Sequence, residues 1–128
     1  MSTGPSFRDL DVWQESMLLV EDIYRITRRF PREERYGLTS QLRDAAVSIA
    51  SNIGEGARRK REKVFLNHLD IALGSQGEVD VQIEIGRRLN FGSAEELVAV
   101  QSRIDRIGRM LNGLIASLQP GSRYSEET

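Results

Sequence analysis

The fold is decided by residues 94–118, which read AEELVAVQSRIDRIGRMLNGLIASL. Apolar residues recur in this stretch at alternating spacings of three and four, the period of one face of an α-helix. They are Leu97, Val100, Ile104, Ile107, Leu111, Leu114 and Leu118. Ser93 offers a hydroxyl N-cap just before the stretch, and Pro120 follows it. The pattern predicts an amphipathic helix from about Ala94 to Leu118.

Three earlier segments carry the same period, so the chain contains four candidate helices. The earlier three run from about Leu10 to Phe30, Leu38 to Ala57 and Arg61 to Leu89. The three prolines, Pro5, Pro31 and Pro120, all lie outside the four segments. Four amphipathic helices with short connections predict an all-α, antiparallel up-down-up-down four-helix bundle. We expect the bundle to span residues 9–119, between tails at 1–8 and 120–128.

The third segment also contains a strand-like pattern. Apolar and polar residues alternate strictly over residues 78–85, EVDVQIEI, which is typical of a β-strand. We favour the helix, because no other segment offers a strand to pair with. As a helix, it places Val81 and Ile85 about 200° away from Val79 and Ile83. One apolar face then enters the core and the other needs a cover, so Val81 and Ile85 are predicted to form an oligomer interface.

The composition is that of a folded domain and excludes several classes of site. Hydrophobic residues make up 39% and charged residues 29% of the 128 residues. Eighteen basic and 19 acidic residues give a net charge of −1, so bulk charge alone does not predict nucleic-acid binding, although a local basic patch stays open. The absence of cysteine excludes disulfides, thiolate metal sites and cysteine nucleophiles. No apolar run approaches the ~20 residues of a membrane span, and the first residues lack a secretory pattern, so we expect a cytoplasmic protein without a membrane association.

Residues 30–56, FPREERYGLTSQLRDAAVSIASNIGEG, carry a resemblance to a known family. They resemble the four-helix-bundle proteins encoded in bacterial 23S ribosomal-RNA intervening sequences. Further matching blocks are Phe7 with Leu10, Val12 and Trp13, then Phe65-Leu66, then Ala72-Leu73-Gly74-Ser75 with Glu78. The chain departs from the family in having Gly54 where Ala is usual and Asp44 where a basic residue is common.

The resemblance implies the same antiparallel bundle, whereas the role of most family members is not known. Some members are similar to the accessory protein of diversity-generating retroelements, which forms ring-like homopentamers and binds nucleic acid and a reverse transcriptase. The resemblance therefore implies three kinds of partner: further copies of the chain in a pentamer, RNA or DNA, and a reverse transcriptase.

Two clusters of basic residues are candidate nucleic-acid-binding sites. The first, called the loop cluster below, comprises Arg58, Arg59, Lys60, Arg61 and Lys63. The second, the helix-1 cluster, comprises Arg25, Arg28, Arg29, Arg32 and Arg35, of which Arg28, Arg29 and Arg32 are predicted to bind nucleic acid. Such clusters can contact phosphates; the other interpretation is a solvated turn, with arginines that a helix C-terminus favours.

In an up-down bundle the two connections lie at opposite ends, so the clusters are predicted to form two separate patches. Residues 58–63 contain no aromatic side chain on which a base could stack. We therefore expect recognition of the phosphate backbone or of shape rather than of base identity.

Asn52-Ile53-Gly54-Glu55-Gly56 superficially resembles a phosphate-binding loop. It lacks the P-loop spacing and its Lys-Ser/Thr ending. We predict a structural role, in which Gly54 and Gly56 let the helix bend or end while Asn52 and Glu55 form hydrogen bonds across the bundle.

No residue pattern predicts catalysis, a metal or a cofactor. His68 is the only histidine, and Phe65 occupies the position that a di-iron Glu-x-x-His motif gives to glutamate. No serine has an identifiable His-Asp partner arrangement, and the spacing of Glu78, Asp80 and Glu84 is that of a solvated helix face. The sequence thus predicts a non-enzymatic, oligomeric bundle that binds structured RNA or DNA through basic patches. The alternative is a protein-interaction scaffold, such as an accessory subunit of a reverse transcriptase, without direct nucleic-acid binding.

Overall fold

The computed structural model describes residues 6–118, most of which lie in four α-helices. The helices are α1 (Asp11–Thr27), α2 (Leu38–Arg58), α3 (Glu62–Arg88) and α4 (Ala94–Leu118). Short 3-10 helices at Phe7–Asp9 and Arg32–Glu34 precede α1 and α2. Helix α1 packs against α2 and α4, and α3 packs against the same two helices, so the four surround one core. The predicted antiparallel four-helix bundle is confirmed.

The ends of the bundle differ from the predicted boundaries in detail. Phe7 and Arg8 lie in the first 3-10 helix and not in a tail, because the Phe7 ring packs edge-on against Trp13 at a centroid distance of 5.1 Å. Helix α1 ends at Thr27, three residues before Phe30, whose backbone N–H bonds to the Thr27 carbonyl in a turn. Residues 1–5 and 119–128, which include the predicted C-terminal tail, lie outside the described residues.

The alternating segment at residues 78–85 is helical throughout, as predicted, and lies within α3. Its two apolar faces differ completely in exposure. Val79 and Ile83 are fully buried, whereas Val81 is 62% and Ile85 42% exposed. The segment is therefore helical because a helix places Val79 and Ile83 together in the core. The opposite face of α3 is uncovered in the single chain.

The core is formed by one stripe from each helix. On α4 the buried members are Leu97, Val100, Ile104, Ile107 and Leu111, as predicted, while Leu114 and Leu118 are only partly buried. They meet Leu19 and Ile23 of α1, Leu42 and Ile49 of α2, and Leu69 and Ile83 of α3. No helix within residues 6–118 is both long and apolar enough to cross a membrane.

Helices α2 and α3 approach closely because their contact is lined by small and polar residues. The Ser48 and Ser75 hydroxyls are 2.8 Å apart, and Asn52 Oδ1 lies 3.0 Å from His68 Nδ1. A Cβ atom on Gly56 would lie 2.5 Å from His68 Cβ, so only glycine permits this spacing.

This geometry corrects the prediction for Asn52–Gly56. Gly54 and Gly56 are buried inside α2, where they make room for neighbouring side chains, and the helix does not end at them but continues to Arg58. Asn52 bonds across to α3 as predicted, whereas Glu55 is exposed and forms no hydrogen bond within residues 6–118.

Ion pairs close the bundle between its first and last helices. Arg103 of α4 donates to Glu15 Oε1 at 2.8 Å and to Asp22 Oδ2 at 2.9 Å, both on α1. Arg29, just after α1, lies 2.7 Å from Glu96 of α4. These contacts join residues 67 to 88 positions apart in the chain.

Candidate nucleic-acid interface

The loop cluster forms the connection between α2 and α3 at one end of the bundle. Arg58 is the last residue of α2, and Glu62 is the first residue of α3. Lys60 turns the chain with a φ of 57°, in the left-handed region. All five side chains of the cluster are exposed, and none pairs with a carboxylate within residues 6–118. Their positive charges are therefore uncompensated.

The helix-1 cluster lies at the other end and divides into two groups. Arg25 pairs with Asp22 at 3.0 Å, and Arg29 pairs with Glu96 at 2.7 Å. Arg28 and Arg32 are exposed, and neither pairs with a carboxylate in the described part of the chain. Three arginines are predicted here to bind nucleic acid. The charge of Arg29 is balanced by a carboxylate of α4, whereas the charges of Arg28 and Arg32 are not balanced by an ion pair in the described part of the chain.

The free arginines line a cleft of about 300 Å³, called the arginine cleft below. Its charged lining residues are Arg28, Arg32, Arg35 and Arg43, and no carboxylate lines it. Thr27 and Thr39, both buried, contribute to its wall. An arginine-lined concave surface of this kind suits a phosphate, because guanidinium groups donate several hydrogen bonds to phosphate oxygens.

Arg43 is the best-anchored member of the arginine cleft and was missed by sequence reasoning. Its Nε donates to Thr27 Oγ1 at 3.0 Å, and its guanidinium lies 4.5 Å from the centroid of the Tyr24 ring. It comes from α2, 11 residues beyond Arg32 in the chain. The sequence does place Thr39 and Arg43 one helical turn apart, on the same face of α2. This spacing indicates the cleft only when the start of α2 is known to lie beside the end of α1.

The two basic surfaces lie at opposite ends, as the up-down arrangement predicts. Helix α2, with 21 residues, separates the arginine cleft from the loop cluster and corresponds to a length of about 30 Å. Arg106 and Arg109 on α4 add further exposed cations that sequence reasoning did not single out; they border a shallow cleft of about 330 Å³ together with the ion-paired Arg103.

The predicted interface residues Val81 and Ile85 border a groove of about 460 Å³ on the outer side of α3. Glu84, Arg88 and Asp80 surround them, and Asp80 accepts a hydrogen bond from Gln101 of α4. The hydrogen bond from Arg88, at 2.9 Å, and the nearby charge of Arg87 hold the pKa of Glu84 below its usual value. The groove therefore has an apolar floor and a rim with charges of both signs.

Among the described residues, two serines and the histidine form hydrogen bonds in the contact between α2 and α3. Ser48 and Ser75 bond to each other, and His68 bonds to Asn52. Within residues 6–118 no group of three or more His, Asp or Glu side chains is placed to hold a metal ion.

Comparisons with known proteins agree with the architecture. A family model described as "23S rRNA-intervening sequence protein" matches residues 8–113. The crystal structure of a protein of unknown function from the S23 ribosomal protein family of Bacteroides thetaiotaomicron is similar, with a TM-score of 0.75 and 22% sequence identity. The match covers 81% of this chain and 97% of that chain. No match was found among curated proteins.

Proposed function

Because the chain belongs to the 23S rRNA-intervening sequence protein family, we propose that it is a non-enzymatic, oligomeric bundle that binds structured RNA or DNA. Binding takes place through phosphate contacts at both ends of the bundle. The observation that carries the proposal is the arginine cleft, which is lined by four arginines and by no carboxylate. Elsewhere on the molecule, arginines such as Arg29 and Arg103 are paired with carboxylates.

The charge distribution favours nucleic acid over a general attraction to anions. The net charge is −1, so long-range attraction is weak, and binding depends on the local concentration of cations at the two ends. Phosphates of a folded RNA or a duplex recur at short intervals, which suits clusters of several guanidinium groups. Neither surface presents a helix or strand shaped to enter a groove and read base edges, so contacts to the backbone dominate.

Self-association of the chain multiplies these modest patches. Val81 and Ile85 are 62% and 42% exposed on α3, and the surrounding Asp80, Glu84 and Arg88 supply both signs of charge. A second copy of the chain offers the same apolar floor and complementary charges, which makes it the fitting partner for this groove. Several copies joined in this way raise the avidity for one nucleic acid without raising the charge of each chain.

The proposal is tested by titrating a fluorescent RNA hairpin with the purified protein at several salt concentrations. We expect affinity to fall steeply with salt. Two variants should flatten this dependence: one with all five loop-cluster residues changed to Gln, and one carrying Arg28→Gln and Arg32→Gln. For each phosphate that the variant no longer neutralises, the log–log slope should become shallower by about 0.7 to 0.9.

The matched control carries Arg25→Gln and Arg29→Gln, which removes two charges from the same end of the bundle. Because these arginines are held by Asp22 and Glu96, the control should keep a slope close to that of the wild type. If the folded wild-type protein binds neither hairpin RNA nor duplex DNA at low salt, the proposal is wrong. The basic surfaces would then serve an acidic protein partner, which is the scaffold alternative.

A further inference from the structure

A second cleft brings aromatic rings to the loop cluster, although residues 58–63 themselves contain none. This aromatic cleft, of about 550 Å³, lies between the first 3-10 helix, the start of α1 and the end of α2. The residues that matter here are Phe7, Trp13, Gly54, Glu55, Arg58 and Arg59. Its volume is within the range of about 300 to 1,000 Å³ that is typical of small-molecule pockets. The structure thus places side chains from the beginning of the chain beside cations almost 50 positions later.

Gly54 allows the rings to lie directly on the backbone of α2. A Cβ atom at this position would lie 3.2 Å from the Phe7 ring and 3.3 Å from Trp13 Nε1. Because the residue here is glycine, the two rings can lie where an alanine methyl group would crowd them. The aromatic wall of the cleft and the cations of the loop cluster are therefore joined through one helical turn, Gly54 to Arg58.

Both rings line the cleft, and Trp13 is the one without a cation stacked on it. Phe7 meets Trp13 at an interplanar angle of 86°, and the Arg8 guanidinium already lies 4.6 Å from the Phe7 centroid. Trp13 is half-buried and has no cation stacked on it within residues 6–118. Stacking of a base on an aromatic ring tolerates every base, because each has a π-face.

The polar residues of the cleft complement the two parts of a nucleotide. Arg58 and Arg59 are exposed and unpaired in the described chain, so they can bind a phosphate. Glu55 repels a phosphate but accepts hydrogen bonds from base N–H groups, and its carboxylate has no partner within residues 6–118. Of the common bases, guanine presents two adjacent N–H donors on one edge, which match the two oxygens of a carboxylate.

We propose that the aromatic cleft binds one unpaired nucleotide of the nucleic acid, preferably guanosine. The base stacks on Trp13 and donates to Glu55, and its phosphate lies at Arg58 and Arg59. The inference rests on the proposed function, because the rest of the nucleic acid is held by the basic surfaces. A base inside a continuous duplex cannot reach Trp13, so the nucleotide comes from a bulge, a loop or a strand end.

The test compares two hairpin RNAs that have the same all-uridine loop, one with a fully paired stem and one with a single bulged guanosine in the stem. Trp13 is the only tryptophan, so its fluorescence reports on the cleft alone. We expect the bulged hairpin to bind roughly tenfold more tightly and to quench Trp13 emission, as expected for one stacked base. The paired hairpin, whose only unpaired nucleotides are loop uridines, should bind with the usual salt dependence and quench the emission less.

A pair of matched variants locates the effect. Ser51 lines the cleft and is exposed, so Ser51→Met narrows the cleft without removing a ring or a charge. It should abolish the preference for the bulge while the paired hairpin still binds. Val47→Met places the same side chain one turn earlier on α2, outside the cleft, and should keep the preference. Glu55→Gln should reduce the advantage of a bulged guanosine over a bulged uridine.

Each failure has a distinct meaning. Equal affinity for both hairpins with unchanged Trp13 emission overturns the inference and leaves the proposed function standing. A bulge preference that survives Ser51→Met also overturns it, because the nucleotide is then bound elsewhere. If the folded protein binds neither hairpin at any salt concentration, the inference and the proposed function both fall.

Discussion

Gly56 marks the closest approach of α2 to α3, and its surroundings explain why glycine stands there. A Cβ atom at Gly56 would meet His68 Cβ at 2.5 Å, close to the α3 backbone, where no side-chain rotation relieves the clash. Gly113 on α4 is the opposite case, since no atom lies within 4 Å of its Cβ position. The two glycines look alike in the sequence, and only the neighbouring helix distinguishes them.

Gly56→Ala should therefore destabilise the protein. Overpacking costs about 1 to 3 kcal/mol, and the gain in helix propensity offsets less than about 1 kcal/mol of it. We expect the free energy of unfolding, measured in urea at fixed protein concentration, to fall by about 1 to 2 kcal/mol. Gly113→Ala is the control and should raise it by about 0.5 kcal/mol. Equal stability of the two variants would mean that α2 and α3 do not approach closely at Gly56.

The arginines illustrate the same point for the candidate site. Arg28 and Arg29 are neighbours of one type, and the sequence assigns both to nucleic-acid binding. Arg29 reaches Glu96, 67 positions away, whereas Arg28 turns into the arginine cleft. Arg43 joins Arg28 there from another helix. The presence of the basic clusters could be predicted from sequence, but which members are free depends on carboxylates that only folding brings near.

At the scale of elements, α1 and α4 are joined by a ladder of polar contacts outside the core. Arg103 is the central member, because it donates to Glu15 and Asp22 together and its side chain is only 30% exposed. Without its cation, the partly buried Glu15 would lose its ion-pair partner, and Asp22 would keep only Arg25. Periodicity predicts the apolar stripe of α4 well, but it contains no information on this seam, since the partners lie 81 and 88 positions apart.

Arg103→Met should lower the free energy of unfolding by about 1 to 2 kcal/mol, less than a fully buried pair would lose, because the site is partly solvated. Arg106 lies three residues further along α4 and is exposed, so Arg106→Met is the control. It should change the free energy of unfolding by less than about 0.5 kcal/mol. Urea unfolding at low and high salt checks both, and the difference between the variants should shrink at high salt. Identical curves for the two variants would show that the ladder adds no stability.

For the whole molecule, the decisive feature is the position of three surfaces around one small core. The arginine cleft and the loop cluster occupy opposite ends, and the groove at Val81 and Ile85 lies on the outer side of α3, near the C-terminal end of that helix. The proposed function requires one chain to associate with its copies and with a nucleic acid at the same time. In keeping with this, the groove shares no lining residue with the arginine cleft.

Val81→Asp combined with Ile85→Asn should dissociate the oligomer, because both positions are exposed in the single chain and the changes do not disturb its core. In light scattering we expect the wild type at a multiple of 14.5 kDa and the variant at 14.5 kDa. Val47→Asp, on an exposed site of α2, is the control and should keep the wild-type mass. A wild-type protein that scatters as a monomer at high concentration would contradict self-association.

The sequence by itself determined the four helices, their order and their buried stripes. The reason is that hydrophobic periodicity is a local property, which can be read from the residues of each helix alone. It also indicated that α3 has two apolar faces and that cations gather at both connections. Only the tertiary structure decided which arginines stay free, which glycines are required, and that Phe7 and Trp13 line a cleft with Arg58 and Arg59. These are contacts between residues far apart in the chain, and they depend on helix spacing and side-chain reach, which no local pattern contains.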